Sequence, residues 1–194
     1  PSVRMFPENH IFDSAVSCTF SEKIPLKILI GIMLSRVFSK ILRVENPTTN
    51  KQVGEVETVP IPVPSSFETK TIDRNWLSNL LGTFVPGSPL SRSDAPAGPI
   101  TVSNIAKDCI AIKKALYAFH IMERDYRHDP LTWALEKLTE EGKPLNVNDA
   151  LKTFFRYKAE LEARLLLNEA LNDELVFKLY GLLPDEMTLT GALA

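Results

Sequence analysis

Residues 26–62 read LKILIGIMLSRVFSKILRVENPTTNKQVGEVETVPIP, and this stretch decides the predicted fold. Apolar residues nearly surround its first part, and the preceding Pro25 is favoured in the first turn of a helix, so we predict one mostly buried helix over 25–44. β-branched residues dominate its last part, which predicts a strand over 54–61. Two further short strands are predicted upstream, over 3–6 and 11–20. These elements would form a small strand-helix-strand unit.

Proline divides the rest of the chain. Seven of its 14 prolines fall between residues 60 and 99, where they disfavour a regular helix or a central strand. We therefore predict a connector over 65–99, with one short helix over 75–84. The unit before it covers 1–64, and the part after it covers 100–194.

Helical periodicity characterises 100–194. A first helix of about 22 residues is predicted behind a Ser103 cap, because apolar residues recur every three or four positions there. A second is expected over 131–140. A third should begin at Asn146 or Asn148 and continue to Tyr180, where Gly181 can close it in a left-handed conformation. The predicted fold class is therefore α+β, mainly α, with a small strand-helix-strand unit and a C-terminal helical bundle.

The composition excludes several classes of function. The 194 residues carry a net charge of -2, so a generic basic nucleic-acid binder is excluded and any anionic partner must meet a local patch. Cys18 and Cys109 form neither a metal quartet nor a disulfide framework, which favours a reducing, cytoplasmic compartment. The longest apolar stretch is too short for a membrane span, so no membrane partner is expected. The chain begins at Pro1, and we interpret it as a fragment of a longer protein.

Catalytic and metal motifs are weak. The charges around His128 fit a solvated, salt-bridged turn better than a ligand set, so no metal site is predicted. Glu68 and Lys70 have the E-x-K spacing found in the catalytic core of restriction-type nucleases, although the rest of such a core is missing. A free-standing nuclease therefore stays an alternative to the two functions considered below. The segment 46–49 lacks the second proline and the aromatic residue of an amino-methyltransferase motif. No catalytic residue is predicted.

A cationic stripe carries the main functional hypothesis. Arg36, Lys40 and Arg43 have i, i+4, i+7 spacing, which places them on one helix face. They could neutralise DNA phosphates, while polar side chains in the following loop could read purine edges. Helix-dipole effects and ordinary surface-loop composition are the alternative explanation. The predicted DNA-binding residues are Arg36, Lys40, Arg43, Asn50, Lys51 and Gln52, with Lys107, Lys113 and Lys114 as a weaker phosphate-contacting face.

Four segments carry a family resemblance. They are SVRMFPENHIFDSAVSCTF (2–20), the stretch 26–62, NIAKDCIAIKKALYAFHIMERDYRHDPL (104–131) and LNEALNDELVFKLYGLLPDEM (167–187). The most specific pieces are Asn-Pro-Thr, Gln-Val-Gly-Glu and Pro-Ile-Pro within 46–62. Together these segments resemble the C-terminal target-recognition and helical region of large bacterial N6-adenine DNA methyltransferases, of the type IIG restriction-modification and BREX phage-defence kind.

This resemblance implies a function for the parent protein. The parent would transfer a methyl group from S-adenosylmethionine to adenine N6 within a specific DNA site. The fragment would bind no cofactor and perform no catalysis, and its partners would be double-stranded DNA and an upstream methyltransferase domain of the same chain. The resemblance also implies that residues 1–64 are the end of an α/β target-recognition unit. The alternative is a helical protein-protein interaction or oligomerisation module of a defence complex, because the consecutive leucines at 165–167 offer more apolar surface than one helix stripe uses.

Overall fold

The computed structural model describes residues 19, 21–22, 24–45, 53–62 and 101–182, and every regular element in these ranges is an α-helix. The predicted α+β class with a strand-helix-strand unit is therefore wrong, although the mainly helical character is right. None of the helices in these ranges has the length and apolar character to cross a bilayer. The helices are α1 (Leu26–Leu34), α2 (Arg36–Glu45), α3 (Val53–Thr58), α4 (Val102–Tyr117), α5 (Pro130–Glu140) and α6 (Val147–Leu179).

The predicted strand over 54–61 is instead the short helix α3 followed by a tail without regular secondary structure. A strand needs a neighbour for its backbone hydrogen bonds, and the described residues offer none, whereas a helix bonds within itself. Tertiary contacts hold the tail: Val59 is buried, and the Tyr180 hydroxyl donates to the Pro60 carbonyl at 2.8 Å. The predicted strands over 3–6 and 11–20 lie outside the described residues, apart from Thr19, which is in no regular element.

A break at Ser35 divides the single helix predicted over 25–44. Ser35 has φ -69° and ψ 154°, an extended conformation that ends α1. Its hydroxyl donates to the Ile32 carbonyl at 2.6 Å and accepts the backbone N–H of Phe38 at 3.2 Å. The same buried side chain thus satisfies groups at the end of one helix and at the start of the next. Arg36 consequently becomes the first residue of α2.

Helix α4 is shorter than predicted, with 16 residues, and Thr101 rather than Ser103 caps it. The Thr101 hydroxyl accepts the backbone N–H of Asn104 at 3.3 Å. After the helix ends, the Ala118 carbonyl accepts the backbone N–H groups of Arg127 and His128 at 2.8 and 3.0 Å. These bonds turn the chain back toward the end of α4. The helix therefore does not extend over the apolar periodicity that continues in the sequence.

The two remaining helices confirm the predicted starts and ends. Asp129 caps α5, with its carboxylate accepting the backbone N–H of Thr132 at 2.9 Å, and Pro130 opens the helix. Asn146 caps α6, since its side-chain oxygen accepts the backbone N–H of Asn148 at 2.9 Å. Gly181 follows α6 with φ +70°, a conformation that costs glycine least. Local side chains therefore set these boundaries, as the sequence predicted.

The chain divides into two compact units, and the division falls within α4 and α6. Unit 1 comprises residues 1–107 and 170–194, and unit 2 comprises 108–169. Large aliphatic side chains and Phe38 fill the described core of unit 1. Unit 2 has a smaller core of Ala134, Leu138 and Ala150, with Trp133 and Phe154 packed against it. The predicted separation at 65–99 stays a prediction, because that segment and its predicted helix over 75–84 lie outside the described residues.

Candidate nucleic-acid interface

An acidic residue 137 positions away anchors the start of α2. The Asp173 carboxylate, on α6, accepts the backbone N–H of Arg36 at 2.8 Å. Its other oxygen lies 3.2 Å from Arg36 Nε. A carboxylate at a helix N-terminus both satisfies a free N–H and interacts favourably with the helix dipole. Asp173 thus fixes the position of α2 within unit 1 and orients the first cation of the predicted stripe.

The three predicted cations of α2 lie away from its buried side chains. Val37, Phe38 and Leu42 are buried, whereas the Arg36 side chain is 66% exposed and Arg43 is also exposed. Lys40, between them, is partly exposed. Helical spacing therefore brings these cations to one side of α2, with Arg43 in the last turn, where the helix dipole favours a positive charge. Asn50, Lys51 and Gln52 lie outside the described residues.

The second predicted set lies on α4. Lys107, Lys113 and Lys114 are all exposed, while Ile105 and Ile112 on the same helix are buried. Lys107 belongs to unit 1 and the other two lysines belong to unit 2. The helix is therefore amphipathic in the predicted sense, with its lysines available to solvent.

The sequence prediction missed the buried polar contacts beneath α1. Asn172 is 7% exposed, and its side-chain nitrogen donates to the Gly31 carbonyl at 2.7 Å. A Cβ at Gly31 would lie 2.5 Å from Val102 Cγ1 and 2.9 Å from Asn172 Oδ1, so only glycine permits this approach. The signal was present in the sequence, since Asn168 and Asn172 occupy helical spacing among leucines. A buried asparagine commonly has a specific partner, but the sequence does not identify it.

Cys109 has no reactive character. Burial raises the pKa of its thiol from 9.0 to about 11, assisted by the negative charges of Glu169 and Asp108. The thiol is therefore protonated at neutral pH, and a protonated thiol is a poor nucleophile. This side chain acts as a small apolar group on α4.

Among the described residues, no group of three or more histidine, cysteine or acidic residues is arranged to hold a metal ion. His128 is exposed, and its ring centroid lies 6.1 Å from that of Phe119. The possible nuclease pair Glu68 and Lys70 and the segment 46–49 lie outside the described ranges.

Comparison with known proteins adds no relative: the chain matches no protein-family model, no curated protein and no solved structure.

Proposed function

We propose that this chain is the non-catalytic DNA-recognition part of a larger, S-adenosylmethionine-dependent, site-specific adenine N6 DNA methyltransferase. The cations of α2 contact the phosphate backbone and position the parent enzyme on its target duplex. An upstream domain of the same chain supplies the methyl-donor pocket and the chemistry. The resemblance of the four sequence segments supports this parent, and the exposed cations on one side of α2 support the choice of this surface as the one that meets DNA.

The observation that supports this proposal most directly is the placement of Arg36, Lys40 and Arg43. Their side chains lie opposite the buried residues of α2, and the Asp173 contact restricts how α2 can move. A held surface loses less conformational entropy on binding than a mobile one. The contact engages Arg36 Nε, and two thirds of the Arg36 side chain remains exposed. Arg36 can therefore approach a phosphate without leaving Asp173.

The test is the salt dependence of duplex binding by the 194-residue chain. Fluorescence anisotropy with a labelled duplex gives the slope of log K against log salt concentration. This slope changes by about 0.9 for each phosphate that the protein no longer neutralises. The Arg36→Ala/Lys40→Ala/Arg43→Ala variant should flatten the slope by up to about 3, and a slope equal to that of the wild type would contradict the proposal.

A matched control removes three cations elsewhere. Lys143, Lys152 and Arg156 have side chains 61%, 70% and 81% exposed, and they are replaced together by alanine. This variant has the same net charge as the α2 variant. Its slope should stay near the wild-type value if binding depends on the α2 surface. Equal flattening in both variants would indicate a nonspecific charge effect. A third variant is Lys107→Ala/Lys113→Ala/Lys114→Ala. The change in its salt slope measures how many phosphates the weaker predicted face neutralises.

The second candidate function is a helical interaction module, and one observation favours it. Of the three consecutive leucines, Leu165 is buried, Leu167 is partly buried and Leu166 is 67% exposed. Phe155, on the same helix, is 60% exposed. Absence of any salt-dependent DNA binding, together with stable self-association of the chain, would favour this function over DNA recognition.

A further inference from the structure

The solvent-facing side of α6 in unit 2 carries an apolar strip. Phe155 and Leu166 are 60% and 67% exposed. They lie 11 residues apart, close to three helical turns, so they point in nearly the same direction about 16 Å from each other. Ala159 and Ala163 are exposed between them. We call the set Phe155, Ala159, Ala163 and Leu166 the α6 strip.

The α6 strip lies on the opposite side of α6 from the core. Ala150 and Leu165 are buried, and Phe154 packs against the Ala134, Leu138 and Ala150 cluster. The core therefore already has its own set of side chains, and the strip is a second apolar set on the same helix. Single exposed leucines are ordinary on protein surfaces. Two large apolar side chains aligned across small residues form the kind of surface on which a second helix packs.

We propose that the α6 strip pairs with the same strip of a second copy of this chain, antiparallel about a two-fold axis. A two-fold interface must be self-complementary. When Phe155 lies opposite Leu166 of the partner subunit, symmetry places Leu166 opposite the partner's Phe155. Ala159 and Ala163 then lie near the axis, where their small side chains allow the two helices to approach closely.

Charges beside the strip favour this register. Lys158 and Glu162 flank it on one side, 3.7 Å apart, and each side chain is about half exposed. The antiparallel register that joins Phe155 to Leu166 of the partner subunit also brings Lys158 to within one residue of the level of the partner's Glu162, about 1.5 Å along the helix axis, and it does so twice. In a parallel pair, symmetry would place this flank of the two copies on opposite sides of the seam, so Lys158 and the partner's Glu162 would not meet. The charge pattern therefore complements a reversed second copy of the same helix.

Charges of both signs border the strip, because Lys152 and Arg156 are exposed on α6 as well as Glu162 and Glu169. The strip is therefore an apolar surface without the excess positive charge that a phosphate backbone needs. The proposal concerns unit 2, whereas Arg36, Lys40 and Arg43 lie in unit 1. It therefore stands or fails independently of the proposed DNA contact.

Sedimentation equilibrium of the 194-residue chain over a concentration series tests the pairing. We expect a reversible dimer with a Kd at or below the micromolar range. Phe155→Ala should raise that Kd roughly tenfold or more, because it removes an exposed apolar group from both ends of the seam. The matched control is Met122→Ala, since Met122 is 85% exposed and lies outside the strip. The control should leave the Kd unchanged. A wild-type chain that stays monomeric up to about 100 μM overturns the proposal.

Charge reversal tests the antiparallel register. Lys158→Glu places two carboxylates opposite each other at each contact, and Glu162→Lys places two ammonium groups there. Each variant alone should therefore dimerise about tenfold more weakly than the wild type, or worse. An equimolar mixture should recover a heterodimer, because both contacts then join opposite charges. Circular dichroism confirms that each variant is helical before mixing. A mixture no more associated than its separate components overturns the register, and a Phe155→Ala variant that dimerises like the wild type overturns the surface.

Discussion

Each compact unit is stabilised internally by a different kind of contact. In unit 1, side-chain hydrogen bonds connect segments 120 to 141 positions apart in sequence. In unit 2, capping bonds such as Asp129 to Thr132 and Asn146 to Asn148 span two or three positions. The long-range bonds of unit 1 join Arg36 to Asp173, Gly31 to Asn172 and Pro60 to Tyr180.

The cores of the two units also differ, in the size of the side chains that are buried. Ile32, Phe38 and Leu175 of unit 1 are 0%, 1% and 0% exposed. In unit 2, two of the three buried cluster residues are alanines and the third is Leu138. Larger rings surround them at partial exposure, and the Trp133 and Tyr157 ring centroids are 4.6 Å apart. Close packing around large buried side chains leaves little room for an added atom. Substitutions at the contacts of unit 1 should therefore cost more than substitutions at the local caps of unit 2.

The largest effect is expected from Gly31→Ala. The new Cβ would lie within 3 Å of both Val102 and Asn172, in the buried part of unit 1. Val102 is β-branched and stiff, and Asn172 is held by its bond to the Gly31 carbonyl. We expect the free energy of unfolding to fall by about 1–3 kcal/mol, measured from the urea midpoint. Hydrogen exchange should accelerate in α1 before it does so in α5.

Gly54→Ala is the matched control for that substitution. Gly54 lies in α3, and a Cβ there meets nothing within 4 Å. Alanine in a helix is favoured over glycine by about 0.5–1 kcal/mol, so this variant should be more stable than the wild type. Opposite signs for the two substitutions would establish that packing, rather than helix propensity, decides the first. A neutral Gly31→Ala variant would remove the contrast between the units.

An intermediate effect is expected from Asp173→Ala. The substitution removes the acceptor for the Arg36 backbone N–H and the partner of its side chain. Loss of a helix-capping acceptor costs about 0.5–2 kcal/mol, so the urea midpoint should fall and amide exchange in the first turn of α2 should accelerate. Glu174→Ala is the control, since Glu174 pairs with Lys178 one turn away on the same helix. Exchange in α2 that responds equally to both variants would contradict the proposed role of Asp173.

The smallest effect is expected at the local cap of unit 2, and it depends on pH. The Thr132 backbone N–H lowers the pKa of Asp129 below its ordinary value of 3.8. A lowered pKa means that the ionised cap stabilises the folded chain above the unfolded-state pKa, and that this contribution is lost as pH falls through the folded-state pKa. Asp129→Asn keeps a capping oxygen but removes the titration. Wild type should be slightly more stable at pH 7, with the difference shrinking below about pH 4. A constant difference across urea midpoints at pH 7, 4 and 2 would contradict this.

Sequence reasoning succeeded where a local side chain sets a boundary. Asp129 with Pro130, Asn146 and Gly181 each act within a few positions, so α5 and α6 were predicted close to their observed bounds. It failed at 54–61, where β-branched residues favoured a strand that has no neighbour in the described residues. It also missed the break at Ser35, because apolar residues continue on both sides of that position.

The candidate interface shows the same limit. Helical spacing alone placed Arg36, Lys40 and Arg43 on one side of a helix, and the break at Ser35 leaves that spacing intact because it precedes Arg36. Nothing near Arg36 in the sequence identified Asp173 as its partner. The apolar strip on α6 was signalled by the leucines at 165–167, but only the fold shows which of them is exposed.

By itself, then, the sequence determined the helical periodicity of the C-terminal half, the approximate bounds of α5 and α6, and the spacing of the cations. Only the tertiary structure decided the contacts that Asp173 and Asn172 make with the first two helices, and only the structure revealed the helix at 53–58 and the break at Ser35. The physical reason is the sequence separation between the groups that interact. Capping and periodicity depend on backbone groups within one or two turns, whereas a strand depends on which segment lies beside it, and the partners of Asp173 and Asn172 lie 137 and 141 positions away.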